Sequence, residues 1–228
     1  MDRRPGSAED TIENMIGAFA LVLTFGTATL TPTDDVWVYP HASDQIDSEF
    51  LRSWGGEGRA VLPGGEQTGA YSYSCLKFSL KSVPKDAKLT KAVLRLTHDV
   101  AATWDEAQSK AAPLEVRALT TKFDERSWEF SMASKVAPSA SDETIYGSAS
   151  GKPSADGNPF VIEIDLLKGP GKFAAVFATA IGETDPTVAF AITTKMDPQE
   201  AGESTMYKFY SKSAKEGWRP QLVLDYTP

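Results

Sequence analysis

The sequence is poor in the residues that most often carry chemistry. It holds one cysteine, Cys75, so no disulfide can close within the chain and no cysteine-built zinc site can form. It holds two histidines, His41 and His98, far apart in the chain, so a three-ligand catalytic zinc centre is not expected. No Gly-x-Ser-x-Gly elbow is present to set a nucleophilic serine beside a base. The glycine-rich stretch Gly55–Gly58 lacks the Lys-Ser/Thr of a phosphate-binding loop and reads as a turn. Positive charge is short too: 23 Lys and Arg stand against 31 Asp and Glu, a formal net charge of −8. Such a chain is a poor partner for nucleic acid, because phosphate affinity depends on concentrated positive charge that displaces counterions.

What is present is ordinary globular material. The 228 residues are 41% hydrophobic and 10% aromatic, enough for an adequate core without covalent staples. Residues 1–28 stand apart. Arg3 and Arg4 precede the apolar run Met15–Phe25, and small residues Gly26–Ala28 follow. That order resembles a secretory signal peptide, and the run is too short to span a bilayer comfortably. The expectation is a leader over 1–28 and a single domain over 29–228, with no membrane span in the mature chain, secreted to the extracellular space or periplasm. Glu9, Asp10 and Glu13 upstream of the run leave a second reading open, a buried first strand or a start placed upstream of the true one.

The body reads as strands, since period-2 alternation sends successive side chains to opposite faces of a sheet. Cys75–Leu80, Ala92–Thr97, Leu114–Ala118, Phe160–Asp165 and Val188–Ile192 all alternate, with Met206–Tyr210 and Gln221–Tyr226 behind them and Val36–Tyr39 as the first strand. Proline, glycine and aspartate clusters separate them. Two stretches differ. Phe173, Val176, Phe177 and Ala180 follow helical spacing within Pro170–Ala180, with Pro170 in the first turn, and Trp104–Ala111 reads as a shorter helix. The Ser/Ala/Gly-rich stretch Ala137–Gly157 reads as an exposed loop. The set predicts an all-β fold with one or two short helices: a two-sheet antiparallel β-sandwich, a jelly roll.

Acids are abundant enough that most are solvated loop charges. Asp34/Asp35, Asp44/Asp47/Glu49 and Asp124/Glu125 are the groups that glycosidase chemistry would need to hold at a fixed separation. Asp44, Asp47 and Glu49 are the candidate oxygen ligands for a structural calcium ion, although their spacing is not that of an EF-hand. No other cofactor is expected.

Several stretches, in order, resemble the DNRLRE domain, a β-sandwich family grouped with carbohydrate-binding modules (family 96), some members of which bind alginate. Asp34–Tyr39 (DDVWVY) is similar to its first strand. Tyr73–Pro84 (YSCLKFSLKSVP) and Ala87–Leu96 (AKLTKAVLRL) are similar to its "LRFDLS…LP" and "I..A.LRL" stretches. Phe123–Trp128 (FDERSW) is similar to "W.E…TW", with Phe at the first aromatic position. Phe209–Ser213 and Arg219–Tyr226 are similar to the closing "F.S.E…RP.L.V.Y", with Ser213 where an acid is usual. The connections 97–113 and 129–159 are longer than the family's compact pattern. The resemblance implies an extracellular, sugar-recognising or surface-attached module, without fixing the ligand.

The alternation also points to a ligand surface. Lys77, Arg95 and Arg117 each sit between core-facing neighbours and point outward, with Lys208 as a fourth. If their strands adjoin, they form a basic strip suited to uronate or sulfate groups. The competing reading is ordinary charged outer faces and edge protection. Among aromatics, Trp54, beside Arg52 and turn residues, is the first choice for an exposed sugar platform, then Trp104 and Trp218, whereas Trp37 and Trp128 read as core or loop anchors. The sequence therefore favours a non-catalytic carbohydrate-binding or adhesion module whose partner is a polysaccharide. The alternatives are a structural component of a matrix or envelope and, last, a polysaccharide lyase or hydrolase. Oligomeric state is not legible.

Overall fold

A computed structural model describes residues 25–38, 48–54, 72–99, 105–119, 123–127, 141–152, 158–195 and 207–228. Two antiparallel sheets face each other across one apolar core. The six-stranded sheet contains β1 (Gly26–Leu30), β3 (Phe50–Ser53), β5 (Lys88–His98), β8 (Phe160–Asp165), β10 (Tyr207–Tyr210) and β11 (Gln221–Thr227). The five-stranded sheet has the order β2 (Asp34–Val38), β4 (Tyr73–Ser79), β9 (Thr187–Thr193), β6 (Leu114–Ala118) and β7 (Ile145–Ala149). Among the described strands, successive ones lie in different sheets except β6 and β7, and β10 and β11. The expected all-β sandwich is the fold observed.

Alternation builds the core. Leu76 and Phe78 of β4, Leu94 and Leu96 of β5, Ile162 and Ile164 of β8, and Phe190 and Ile192 of β9 are all buried in one cluster. Truncating one of these large side chains to alanine is expected to cost about 2–5 kcal/mol. Among the described residues two short α-helices complete the body. α1 (Glu106–Ala111) starts where Asp105 accepts from the N–H groups of Ala107 and Gln108. α2 (Phe173–Ala180) closes one end of the core with Phe173, Phe177 and Ala180, and the Phe173 ring lies 5.1 Å from Tyr146 and 5.5 Å from Phe190.

The sequence places α2 too early. Pro170 lies in the turn before the helix, because the N–H groups of Gly169 and Gly171 donate to the carbonyls of Tyr146 and Ile145 and tie that turn to β7. Lys172, at φ 52°, then redirects the chain into the helix. Three strands escape the alternation test. β1 runs across the boundary at residue 28, pairing Gly26 with Tyr226 through to Leu30 with Leu222. β3 has four residues. β7 lies inside the stretch expected to be a loop, and buries Tyr146 and Gly147. Its small residues are a packing requirement: a Cβ on Gly147 would collide with the Asp165 carbonyl of β8.

The five-stranded sheet is buried on its outer side as well. Val36, Cys75, Ala191 and Arg117 form one cross-strand row facing away from the core, and none is more than 1% exposed. Val38 and Tyr73, the next pair on that face, are also buried. Among the described residues, 123–127 and 141–142 lie over this wall, through contacts to Lys77 and Arg117.

Candidate functional site

The basic residues singled out in the sequence do not share one strip. Lys77 and Arg117 belong to the five-stranded sheet, and Arg52, Arg95 and Lys208 to the six-stranded one. Lys77 is held by Asp34 at 2.8 Å and by the Phe123 carbonyl at 2.7 Å. Burial alone would push the Asp34 carboxyl up, but hydrogen bonds from Lys77 and Thr33 outweigh it and hold the group below the usual carboxylate range. Arg95 pairs across the sheet with Glu163 at 3.0 Å and Gln221 at 3.3 Å.

Arg117 does not reach solvent, contrary to the outward reading. Its side chain is wholly buried, with Nη2 2.6 Å from Glu115 Oε2, Nε 3.2 Å from Thr193 Oγ1, and Nη1 donating to the Ser141 carbonyl. It does point away from the core, but into a covered wall. A buried guanidinium is tolerable only when paired and hydrogen-bonded in this way.

Arg52 and Lys208 do come together. They are direct cross-strand partners on β3 and β10, and Phe50 and Tyr210 are the next outward pair. Direct partners lie within reach of each other on one face. The Lys208 ammonium sits 3.8 Å from the Phe50 ring centroid and 2.6 Å from Asp99 Oδ2. The Arg52 guanidinium lies 5.4 Å from the Trp37 ring centroid, and among the described residues no carboxylate pairs with it. Phe50 packs on Tyr210 at 4.8 Å, Tyr210 on Trp218 at 4.5 Å, and Lys215 lies 5.4 Å from the Trp218 centroid. The result is a run of rings interleaved with cations, with a stacked cation worth about 0.5–2 kcal/mol depending on its exposure. Burial, followed by the charges of Asp99 and Glu49, pushes the Tyr210 phenol up, so the ring stays neutral.

Trp54 is 8% exposed and therefore no platform. It bridges to Ser72 and packs on Trp37 at 5.9 Å, while the Trp37 indole N–H donates to the Ser72 hydroxyl. Its turn-like neighbours suggested exposure, but the bridge to Ser72 closes the corner between the sheets over it. Trp218 is half-buried and remains on the face. Phe50 and Tyr210 were not singled out in the sequence. The only signal for them is their alternation with Leu51 and Phe209, which reads equally well as core. Trp104, Trp128, Asp44 and Asp47 lie outside the described residues. Glu49 is exposed and its carbonyl accepts from the Ser211 N–H. Among the described residues no group of three His, Cys, Asp or Glu could hold a metal ion.

Asp35 and His98 are interior groups that titrate far from their ordinary ranges. Burial pushes Asp35 up to about 7, opposed by the Lys212 N–H it accepts at 2.6 Å and reinforced by the charges of Glu125 and Asp34. Burial pulls His98 down to about 3, and its Nε2 accepts from the Lys208 N–H at 3.2 Å. Each thus serves a backbone N–H. Compared with known proteins, the chain matches no family model and no curated sequence.

Proposed function

We propose that the β3/β10 face binds carbohydrate and that the protein is a secreted, non-catalytic recognition or adhesion module for an acidic, uronate-type polysaccharide. The carrying observation is the Arg52 guanidinium, which pairs with no carboxylate among the described residues and lies over Trp37, beside the half-buried Phe50 and Trp218 rings that pack on the buried Tyr210. Flat rings accept the C–H faces of sugars, and a guanidinium binds a carboxylate through two parallel hydrogen bonds. The acidic surroundings, net −8 over the chain, discourage indiscriminate polyanion binding and favour a local, geometric match. Secretion rests on the order of charges and apolar residues in 1–28.

The test is titration calorimetry with tetragalacturonate and with cellotetraose, for the wild type and Arg52→Ala. The expected result is binding of the acidic sugar that weakens with salt and falls at least about tenfold in the variant. Equal binding by the variant overturns the assignment of this face. Unsaturated products or new reducing ends during incubation would overturn the non-catalytic reading.

A second reading, a structural component of an extracellular matrix or envelope, is favoured by β1. Among the described strands it pairs only with β11, and Phe25 at its start is 73% exposed. An open strand edge beside an exposed ring is a template for another chain. Concentration-dependent light scattering without sugar affinity would favour this reading over the first.

A further inference from the structure

The opposite wall of the sandwich carries a second concavity. A groove of about 530 Å³ crosses β7, between Glu115, Ser148 and Lys195 on one side and Lys168, Gly169 and Pro170 on the other. That volume is within the range of small-molecule sites. Its floor is set by pairing: Thr193, Glu115 and Ser148 form one cross-strand row on the outward face of β9, β6 and β7.

Glu115 is the informative residue. Arg117, two residues along the same strand and on the same face, holds Glu115 Oε2 through Nε at 3.1 Å and Nη2 at 2.6 Å. The other oxygen, Oε1, has no partner among the described residues, and the residue lines the groove. A carboxylate with one oxygen clamped by a buried arginine has lost its rotamer freedom before any ligand arrives, which lowers the entropy cost of binding. It presents a fixed acceptor. Around it the groove offers the Ser148 hydroxyl, the Lys168 and Lys195 ammonium groups, the Asp142 carboxylate, and aliphatic surface from Ile145 and Pro170. Lys195 has no ion-pair partner among the described residues. Acceptor, donors and aliphatic surface in one groove match a ring that carries several hydroxyls and one carboxylate.

We propose that this groove is a second saccharide site, for a uronic-acid residue, with Glu115 accepting from ring hydroxyls and Lys195 meeting the carboxylate. The site stands independently of the β3/β10 face. If both bind, the protein has one site on each outer wall and bridges separate polysaccharide chains.

The experiment is calorimetry with tetragalacturonate on the full chain, with backbone amide shifts followed in parallel. Wild type is expected to bind two ligands, with shifts at Gly147, Ser148 and Gly169. Lys195→Glu and Ser148→Trp, both at exposed positions that leave the Arg117–Glu115 pair intact, are expected to reduce the stoichiometry to one. Arg52→Ala is expected to remove the other site and leave those groove shifts in place. A wild-type stoichiometry of one that Arg52→Ala abolishes and Lys195→Glu leaves unchanged overturns the groove. A stoichiometry of one with the reverse dependence supports the groove and overturns the β3/β10 face. Absence of binding overturns both.

Discussion

Glu125 accepts the backbone N–H of Asp35 at 2.8 Å, and through its other oxygen pairs with Lys212 at 2.7 Å, whose own N–H donates to the Asp35 carboxylate at 2.6 Å. Three segments distant in sequence close a ring at the edge strand β2. Glu125 supplies the acceptor that a neighbouring strand would have offered, so the edge N–H is not left unpaired.

That ring makes stability depend on pH. Asp35 titrates near 7 when folded and near 3.8 when unfolded, so its contribution is present below about pH 4 and is lost as pH rises to 7. Asp35→Asn keeps an acceptor for Lys212 and removes the charge that faces Glu125 and Asp34. In urea unfolding, the variant is expected to gain on wild type by on the order of 2–3 kcal/mol between pH 4.5 and 8. Parallel profiles for the two proteins would refute this.

His98 gives the opposite slope. Folded, it titrates near 3 instead of 6.5, because burial and Lys208 outweigh the charge of Asp99, so its contribution is present above 6.5 and is lost as pH falls toward 3. The ring also stacks on Phe160 at 5.0 Å, so His98→Gln is expected to be less stable than wild type at pH 7. Between pH 7 and 5, however, the variant should lose on the order of 2 kcal/mol less. The same unfolding series, read at three pH values, decides it.

Glycine spacing in β7 predicts a steric outcome. Gly147→Ala places a methyl against the Asp165 carbonyl and is expected to cost about 2–4 kcal/mol by parting β7 from β8. Gly217, whose Cβ would meet nothing within 4 Å, is the control, and Gly217→Ala should leave the melting temperature within a degree or so. Equal effects would mean that β7 and β8 are not packed this closely.

Strand β1 predicts where a stable fragment begins. A chain starting at residue 25 keeps all five β1 pairings with β11, whereas one starting at 29 loses Gly26, Thr27 and Ala28 and the Thr27–Asp225 hydrogen bond. The shorter fragment is expected to be less stable by about 1–3 kcal/mol. It should also tend to self-associate along the bared edge of β11, which light scattering would detect.

Much of the sandwich is legible because its long strands alternate cleanly: β4, β5, β8, β9 and β11 each set large aliphatics on one face. β1 and β7 are not, because Gly, Ala, Ser and Thr leave no amphipathic contrast, and their placement comes from close contact with other strands. The candidate site was half legible. Arg52 stands out only as a neighbour of Trp54, whereas alternation correctly reports that Lys208, like Arg117, leaves the core side of its strand. It carries no information about which sheet a strand joins or whether that sheet's far side is itself covered. Arg52 and Lys208 therefore meet half-buried on an outer face, while Arg117 ends in a buried ion pair and Trp54 is closed over at a corner.

The double burial of the five-stranded sheet gives the protein an internal reporter. Cys75 lies on the outward row of that sheet with no exposure, and burial pushes its thiol well above the ordinary range. In the closed state it resists alkylation and intermolecular disulfide exchange, which need an accessible thiolate. The rate at which a maleimide reaches this sulfur therefore times the lifting of the outer layer, separately from the melting of the core behind it.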